Sequence, residues 1–408
     1  MAITDGIILN DGQRRVVDAG VNHILKGITD YPFEFSGEAG TGKSVVLKKI
    51  QEESGIKLDR VAPMAYVGQA AIIMRFKGFP NAKTAHSWLY NPERIYATDK
   101  ETESVVYNEY LSTPESKLAF IPKESLKGVD TIFIDEGGTM PYSMREDIES
   151  HGKPIIVAGD LNQLPPVADK PAYLYDPSKV HVLDEVMRQK ADSGIVYLAH
   201  RALKGQPIHH GFYGDSLVIY EEQLTDEMIK NANVLLCGTN NTRERLTKLV
   251  REEILGYRGT LPNYGEKVIC RQNDFHTCID GIGLGNGLTG TVTSQPDVSD
   301  FDGSIFRMDF TPDLFDGTFV NLDIDYEYFI APFWKKNEMK MRKWAQGYKF
   351  DYAYCITTHL SQGGQFPNVI YFEEYMHQDI QNKINYTAIT RATNSLIYVK
   401  RKKKFFFQ

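Results

Sequence analysis

Eight consecutive residues, Gly37-Glu38-Ala39-Gly40-Thr41-Gly42-Lys43-Ser44, have the composition and spacing of a loop that wraps a phosphate chain. Glycines let the backbone curl until successive N–H groups converge on phosphate oxygens. The lysine supplies a positive charge for the β- and γ-phosphates, and the serine hydroxyl a ligand for Mg²⁺. The flanks agree with this chemistry. Phe33–Ser36 reads as a short strand and Val45–Ile50 as a helix, whose N-terminus adds its positive dipole end. This context predicts a nucleoside triphosphate site held by Gly37, Gly40, Thr41, Gly42, Lys43 and Ser44.

A second group of residues completes the expected chemistry. Ile132-Phe133-Ile134-Asp135-Glu136 is an apolar strand ending in two acids, which delivers carboxylates to the C-terminal edge of a parallel sheet. Asp135 is expected to hold Mg²⁺ through water, alongside Ser44, and Glu136 to orient and deprotonate the attacking water. Val157-Ala158-Gly159-Asp160-Leu161-Asn162-Gln163-Leu164-Pro165-Pro166 reads as another strand and a loop at the same edge. Gln163, an uncharged donor and acceptor, suits the sensing of a γ-phosphate.

These groups need a scaffold. Short continuous apolar runs at Arg60–Pro63, Thr131–Ile134 and Pro154–Ala158 suit strands buried on both faces of a parallel sheet. Helical stretches such as Gly68–Met74 alternate with them, which gives an α/β doubly wound domain over residues 1–190. A second such domain, residues 191–408, is built from strands at Asn233–Cys237, Tyr352–Ile356, Val369–Phe372 and Leu396–Val399. Each domain carries a β-rich insertion. Arg94–Ala97 and Ser104–Tyr107, around the polar tip 98–103, predict a hairpin within about 90–122. Residues from about 282 to 350 have the Gly, Asp and aromatic content of a small barrel, with alternation at Ile305–Phe310.

Composition bounds the rest. The 408 residues are 42% hydrophobic and 24% charged, ordinary for a globular protein of two domains. No apolar run is long enough to span a membrane, and the N-terminus lacks the basic start of a secretory signal. Cys237, Cys270, Cys278 and Cys355 show no zinc or disulfide spacing, so a reduced, cytoplasmic protein is expected. The net charge of −7 disfavours wholesale binding to nucleic acid yet leaves room for a basic groove. Lys335–Lys343 with Trp334 and Trp344, and the tail Lys400–Lys404 before Phe405–Phe407, are the two basic clusters, each equally readable as a solvated surface.

The order of the motifs resembles that of the superfamily 1 helicases, in their RecD-like and Dda-like branch. Asn10–Gln13 resembles the adenine-reading glutamine motif, with Gln13 the matching residue. Lys83–Ser87 resembles a strand-contacting segment, and Leu183–Gln189 the motif whose arginine, Arg188, meets the γ-phosphate. Thr358–Gly363 resembles the motif that couples nucleotide to nucleic acid, and Tyr386–Ala392 the last motif, with Arg391 the second arginine finger. Gly265–Cys270 and Asn286–Val292 look like the entry to an SH3-like insertion. The resemblance implies two RecA-like P-loop NTPase domains, ATP and Mg²⁺ as cofactors, and a monomer. It implies a 5′-to-3′ DNA helicase that translocates on single-stranded DNA and parts tailed duplex at the inserted hairpin, in replication, recombination or repair. A single-strand-binding or replication protein is admitted as a partner, and a membrane is not. A groove for single strands needs backbone contacts and aromatic or apolar faces, for which Tyr66, Gln69, His86, Trp88, Thr358 and His359 are the candidates, His86 and His359 lying in the matched motifs.

Two departures stand against the family pattern. Gly137-Gly138 replaces Ala or Val and then Ser, and Gln69 stands where a lysine is common. Two rival readings remain open at this point. One is a translocase on single-stranded DNA or RNA, or a protein-displacing motor, without unwinding. The other is a nucleotide-dependent assembly factor.

Overall fold

The structure is a computed structural model, and it describes residues 6–96, 116–167, 169–183, 185, 193–279, 282–297, 304–339 and 347–401. Two compact units emerge, one of residues 1–85, 127–256 and 354–408, the other of 86–126 and 257–353.

The first unit contains both parallel sheets. In spatial order the first sheet runs Lys83–Thr84, Val61–Ala65, Thr131–Ile134, Ile155–Gly159, Phe33–Gly37 and His181–Leu183, every pair parallel. Its three strands at 61–65, 131–134 and 155–159 are buried along their whole length, as continuous apolar runs require. Pro63 pairs with Phe133 on one side of its strand, while the short strand on the other side pairs only with Met64 and Ala65. Helices Asp11–Leu25 and Lys43–Glu53 cover the sheet with Val16, Val17, Ile24, Val46, Leu47 and Ile50 packed on Phe33 and Phe35. Each such side chain contributes about 1.5–3 kcal/mol of burial.

The second sheet runs Cys355–Thr357, Val234–Cys237, Phe366–Phe372, Ala392–Lys400, Ser216–Tyr220 and Gly211–Tyr213, parallel except for its last pair. The expected strand at Tyr352–Ile356 is divided: Tyr352 ends a strand of the other unit and Cys355 begins one here. One apolar run therefore serves two sheets.

In the second unit, Lys267–Cys270, Thr289–Val292, Ile305–Pro312, Phe319–Asp325 and Phe350–Tyr352 form an antiparallel sheet. A bridge between Ile324 and Tyr348 closes it into a barrel. Phe306, Met308 and Phe310 alternate inward. The barrel begins at Lys267, inside the Gly265–Cys270 segment expected as its entry and ahead of the compositional bound near 282, because that strand pairs with both Thr289–Val292 and Phe350–Tyr352. A hairpin pairs Tyr90–Tyr96 with Ser116–Pro122. The expected tip, 98–103, and the expected return strand, Ser104–Tyr107, lie outside the described residues. No helix among the described residues is long and apolar enough to cross a membrane.

Candidate active site

The strand Phe33–Gly37 enters the phosphate loop and the helix leaves it at Lys43. Gly40 and Gly42 have φ of 89° and 83°, in the left-handed region that a side chain disfavours. Crowding adds to this at Gly42, where a Cβ would lie 2.5 Å from Gln13 Nε2. Gln13 itself closes a capping box with Asn10 and donates from Nε2 to the Thr41 carbonyl at 2.9 Å. It therefore braces the loop from outside. Lys43 Nζ lies within the loop, donating to the carbonyls of Gly37 (2.6 Å) and Glu38 (3.2 Å). Thr41 Oγ1 donates to the Glu38 carbonyl, and Ser44 opens the helix next to Lys43.

Asp135 and Glu136 follow Thr131–Ile134 at the same sheet edge. Asp135 is buried, its Oδ1 accepting from Glu136 N at 3.0 Å and its Oδ2 standing 3.9 Å from Lys77 Nζ. Glu136 has φ 53°, a conformation costing about 1–2 kcal/mol outside glycine. Its carboxyl is pushed above the usual carboxylate range, first by burial and then by Asp135, against the opposing pull of Lys43, Arg391 and Lys77. Three cations thus converge on this acid. Among the described residues no cluster of three His, Cys, Asp or Glu is placed to hold a metal. The donors present still fit Mg²⁺, which takes one or two protein oxygens and completes its shell with water and phosphate. Asp135 Oδ2 already faces a cation, in Lys77.

Gly137 is explained by packing. A Cβ there would lie 2.3 Å from Val157 Cγ1, whereas at Gly138 the nearest atom, the Asp160 carbonyl oxygen, would be 3.5 Å away.

The loop after Ile155–Gly159 is held from two sides. Leu161 N donates to Ser36 Oγ on the phosphate-loop strand at 3.0 Å. From the helix Gln378–Ile389 of the second sheet, Tyr386 OH donates to Asp160 Oδ2 (2.6 Å), Lys383 Nζ to the Leu161 carbonyl (3.2 Å), and Thr387 Oγ1 accepts from Leu164 N (3.1 Å). Gln362 Nε2 donates to the Leu164 carbonyl at 2.6 Å. Burial, and after it Asp160, holds the Tyr386 hydroxyl well above its usual pKa, so it stays a donor. Gln163 lies inside this grip, and its Oε1 has no hydrogen-bond partner among the described residues. A further link joins Glu38 of the phosphate loop to His200 Nε2 on the helix Gly194–Leu203.

Arg391 is buried at the end of the helix Gln378–Ile389. It donates to the carbonyls of Thr387 (3.1 Å) and Gly364 (3.0 Å) and to Thr390 Oγ1 (3.4 Å). Arg188 lies outside the described residues. The residues assigned to DNA separate into two kinds. His86 and His359 are half-buried, and burial lowers the pKa of both, which favours neutral rings. Gln69 and Thr358 are interior instead. Gln69 is packed against Gly364, and Thr358 Oγ1 donates to the Cys237 carbonyl. Lys77, Asp160 and Lys383 have no role assigned from the sequence, and Tyr386 enters it only as the first residue of the Tyr386–Ala392 motif. Only the Gly159-Asp160 pair beside Gln163 offered a signal, since the other partners come from distant segments.

The profile of the AAA domain family matches residues 9–221, more than half of the chain, and so spans the phosphate loop, both acids and the gripped loop. That of the UvrD-like helicase C-terminal domain matches residues 352–399, which include Gln362 and Arg391. The chain belongs to the AAA domain family. Its fold is that of the Pif1 helicase of Candida albicans, at 17% identity, TM-score 0.55, with 97% of this chain and 95% of the other covered. A Bacteroides Pif1 bound to single-stranded DNA is similar, at 15% identity and TM-score 0.54, covering 96% and 92%. An uncharacterized protein of Methanocaldococcus jannaschii is 23% identical over 96% of this chain. The chain spans 38% of that relative's length.

Proposed function

We propose that this helicase-type P-loop NTPase hydrolyses ATP to move along single-stranded DNA in the 5′-to-3′ direction and to separate duplex at its inserted hairpin. The observation that carries the reading is the grip on residues 160–164. That loop is bonded to the phosphate-loop strand at Ser36 and to the second sheet through Gln362, Lys383, Tyr386 and Thr387. A change at the γ-phosphate felt by Gln163 is then a change in how the two sheets are held together.

Each residue has a task in this scheme. Lys43 exchanges the Gly37 and Glu38 carbonyls for phosphate oxygens, and Gln13 fixes the loop and faces the base. Ser44 and Asp135 would hold Mg²⁺, whose charge offsets that of the phosphates. Glu136, made more basic by its surroundings, takes the proton of the attacking water. Arg391, together with Arg188, neutralises charge on the transferring phosphoryl group, a contribution of about 10³–10⁵ in rate. His86 and His359 meet the strand as neutral rings able to stack on bases, worth roughly 1–3 kcal/mol per base. Likeness to a Pif1 bound to single-stranded DNA supports the choice of ligand.

ATP turnover measured with and without single-stranded DNA, for the intact chain and for Glu136→Gln, tests the proposal. Strong stimulation that vanishes in the variant is expected, followed by unwinding of 5′-tailed but not 3′-tailed duplex. Turnover indifferent to DNA and RNA would sink it and favour an assembly factor. Stimulation without unwinding of either substrate would leave a translocase.

A further inference from the structure

Gln69 sits in the first turn of the helix Gly68–Phe76 with 1% of its surface exposed, and its Nε2 has no hydrogen-bond partner among the described residues. A buried idle donor costs about 1–3 kcal/mol, so stability alone does not account for an amide here. What it touches is the turn Gly363–Gly364. A Cβ on Gly364 would lie 2.8 Å from Gln69 Oε1 and 3.0 Å from Nε2. A Cβ on Gly363, whose φ is 76°, would lie 2.7 Å from Ala70 Cβ. Two glycines in a row let the helix of the first sheet reach this turn.

The same turn anchors the machinery of the second sheet. The Gly364 carbonyl accepts from the Arg391 guanidinium at 3.0 Å, and Phe366 N donates to the Arg391 carbonyl at 2.8 Å. One residue before the turn, Gln362 holds the Leu164 carbonyl. A side chain that sets the position of Gly364 therefore sets the acceptor that aims Arg391.

We propose that Gln69 is a positioning residue for Arg391: its amide, wedged under Gly364, holds the carbonyl that orients the guanidinium. This rests on the reading of Arg391 as the group that stabilises the transferring phosphoryl. It also reassigns Gln69. In place of a DNA phosphate contact, the residue joins the helix that follows Tyr66 to the arginine that acts on ATP. A displacement of that helix is thereby passed to Arg391 through the packing of Gln69 on Gly364.

The test is a double-mutant cycle on the full chain, reading DNA-stimulated kcat, binding of a fluorescent ATP analogue and thermal stability. Gly364→Ala is expected to lower kcat about tenfold or more, as misplacement of a catalytic group by a fraction of an ångström does. Analogue affinity should stay within about twofold, since Arg391 acts on the transition state. Adding Gln69→Ala makes room for the new methyl group, and recovery of kcat in the double variant is the expected signature. A double variant no better than Gly364→Ala would overturn the proposal, as would wild-type kcat in both single variants. Should Gly364→Ala fail to fold, Gln69→Ala decides alone: a kcat lowered about threefold or more at unchanged thermal midpoint supports it, and wild-type kcat overturns it. Arg391→Lys, run in parallel, separates the two layers of the argument. Full turnover in that variant would remove the role of Arg391 itself, whereas an inactive Arg391→Lys beside a wild-type Gln69→Ala would remove only the positioning.

Discussion

Each parallel sheet contains a strand that runs through a tight turn into a helix, and the two turns treat anions differently. In the first sheet the turn after Phe33–Gly37 leads to the helix Lys43–Glu53, with Lys43 Nζ in its centre and its neighbours Asp135 and Glu136 at the edge. In the second, Val234–Cys237 leads through Gly238 and Thr239 to the helix Asn240–Lys248. There the Glu374 carboxylate occupies the turn. It accepts from Gly238 N (2.5 Å), Thr239 N (2.8 Å), Thr239 Oγ1 (2.8 Å) and Thr242 Oγ1 (2.5 Å). A helix N-terminus with converging N–H groups attracts an anion in either case. The difference lies in whether the chain supplies that anion itself. One turn therefore holds a cation and leaves its anion to be supplied, and the other is closed by the chain's own carboxylate.

The largest effect that would sharpen this contrast is expected at Lys43. Lys43→Ala should lower ATP turnover about 10²–10³-fold, the scale for removing one electrostatic contact to the reacting group. Steady-state hydrolysis checks this, and a variant with near wild-type turnover would break the assignment of the first turn. At the second turn Glu374→Ala should act on stability instead. It removes the shared acceptor of four donors, of which Thr239 Oγ1 keeps Thr242 Oγ1, and should destabilise by about 2–4 kcal/mol, with kcat within twofold. A large loss of turnover at unchanged thermal midpoint would show that the second turn serves catalysis as well.

Glu136 gives a third, smaller test, read in chelator so that no cation complicates it. Its folded-state pKa is raised, so the stability it contributes is present below the ordinary carboxylate range and lost as pH rises through the folded value. Glu136→Gln mimics the protonated form. It should raise the thermal midpoint at neutral pH, and the gain should vanish as the pH is taken below the ordinary carboxylate range. Equal midpoints across the whole range would show that the acid is not strained by its neighbours. The smallest effect is expected at His200, which is 39% exposed and pairs with Glu38 of the first turn. His200→Ala should weaken ATP binding by about fivefold at most, the limit for an exposed pair. A loss far beyond that would make this link part of the nucleotide site.

Legibility followed sequence distance. The loop Gly37–Ser44 and the strand end at Asp135-Glu136 are placed by a few neighbouring residues each, and the buried strands announce themselves as unbroken apolar runs. What failed was assignment across distance. Tyr352 and Cys355 sit in one apolar stretch yet belong to different sheets, because only the partners Val268 and Leu235 decide where each goes. Gln69 reads as a surface amide near a DNA strand, and it is buried because Gly364, far along the chain, leaves space for it. The pairing of Tyr90–Tyr96 with Ser116–Pro122 likewise depends on a register that local alternation does not specify. Arg188 and the tail beyond Arg401 fall outside the described residues.

The crowding around Gly137 and the space beside Gly138 bear on where this lineage can travel. At residue 137 a methyl group would meet Val157, so the step to the alanine or valine of relatives requires a second, compensating change. Residue 138 has an ordinary backbone conformation, and its nearest neighbour is the carbonyl oxygen of Asp160. A serine is therefore a single mutational step away at no steric cost. Its side chain would arrive beside Asp160, the first residue of the gripped loop, without disturbing the acids themselves.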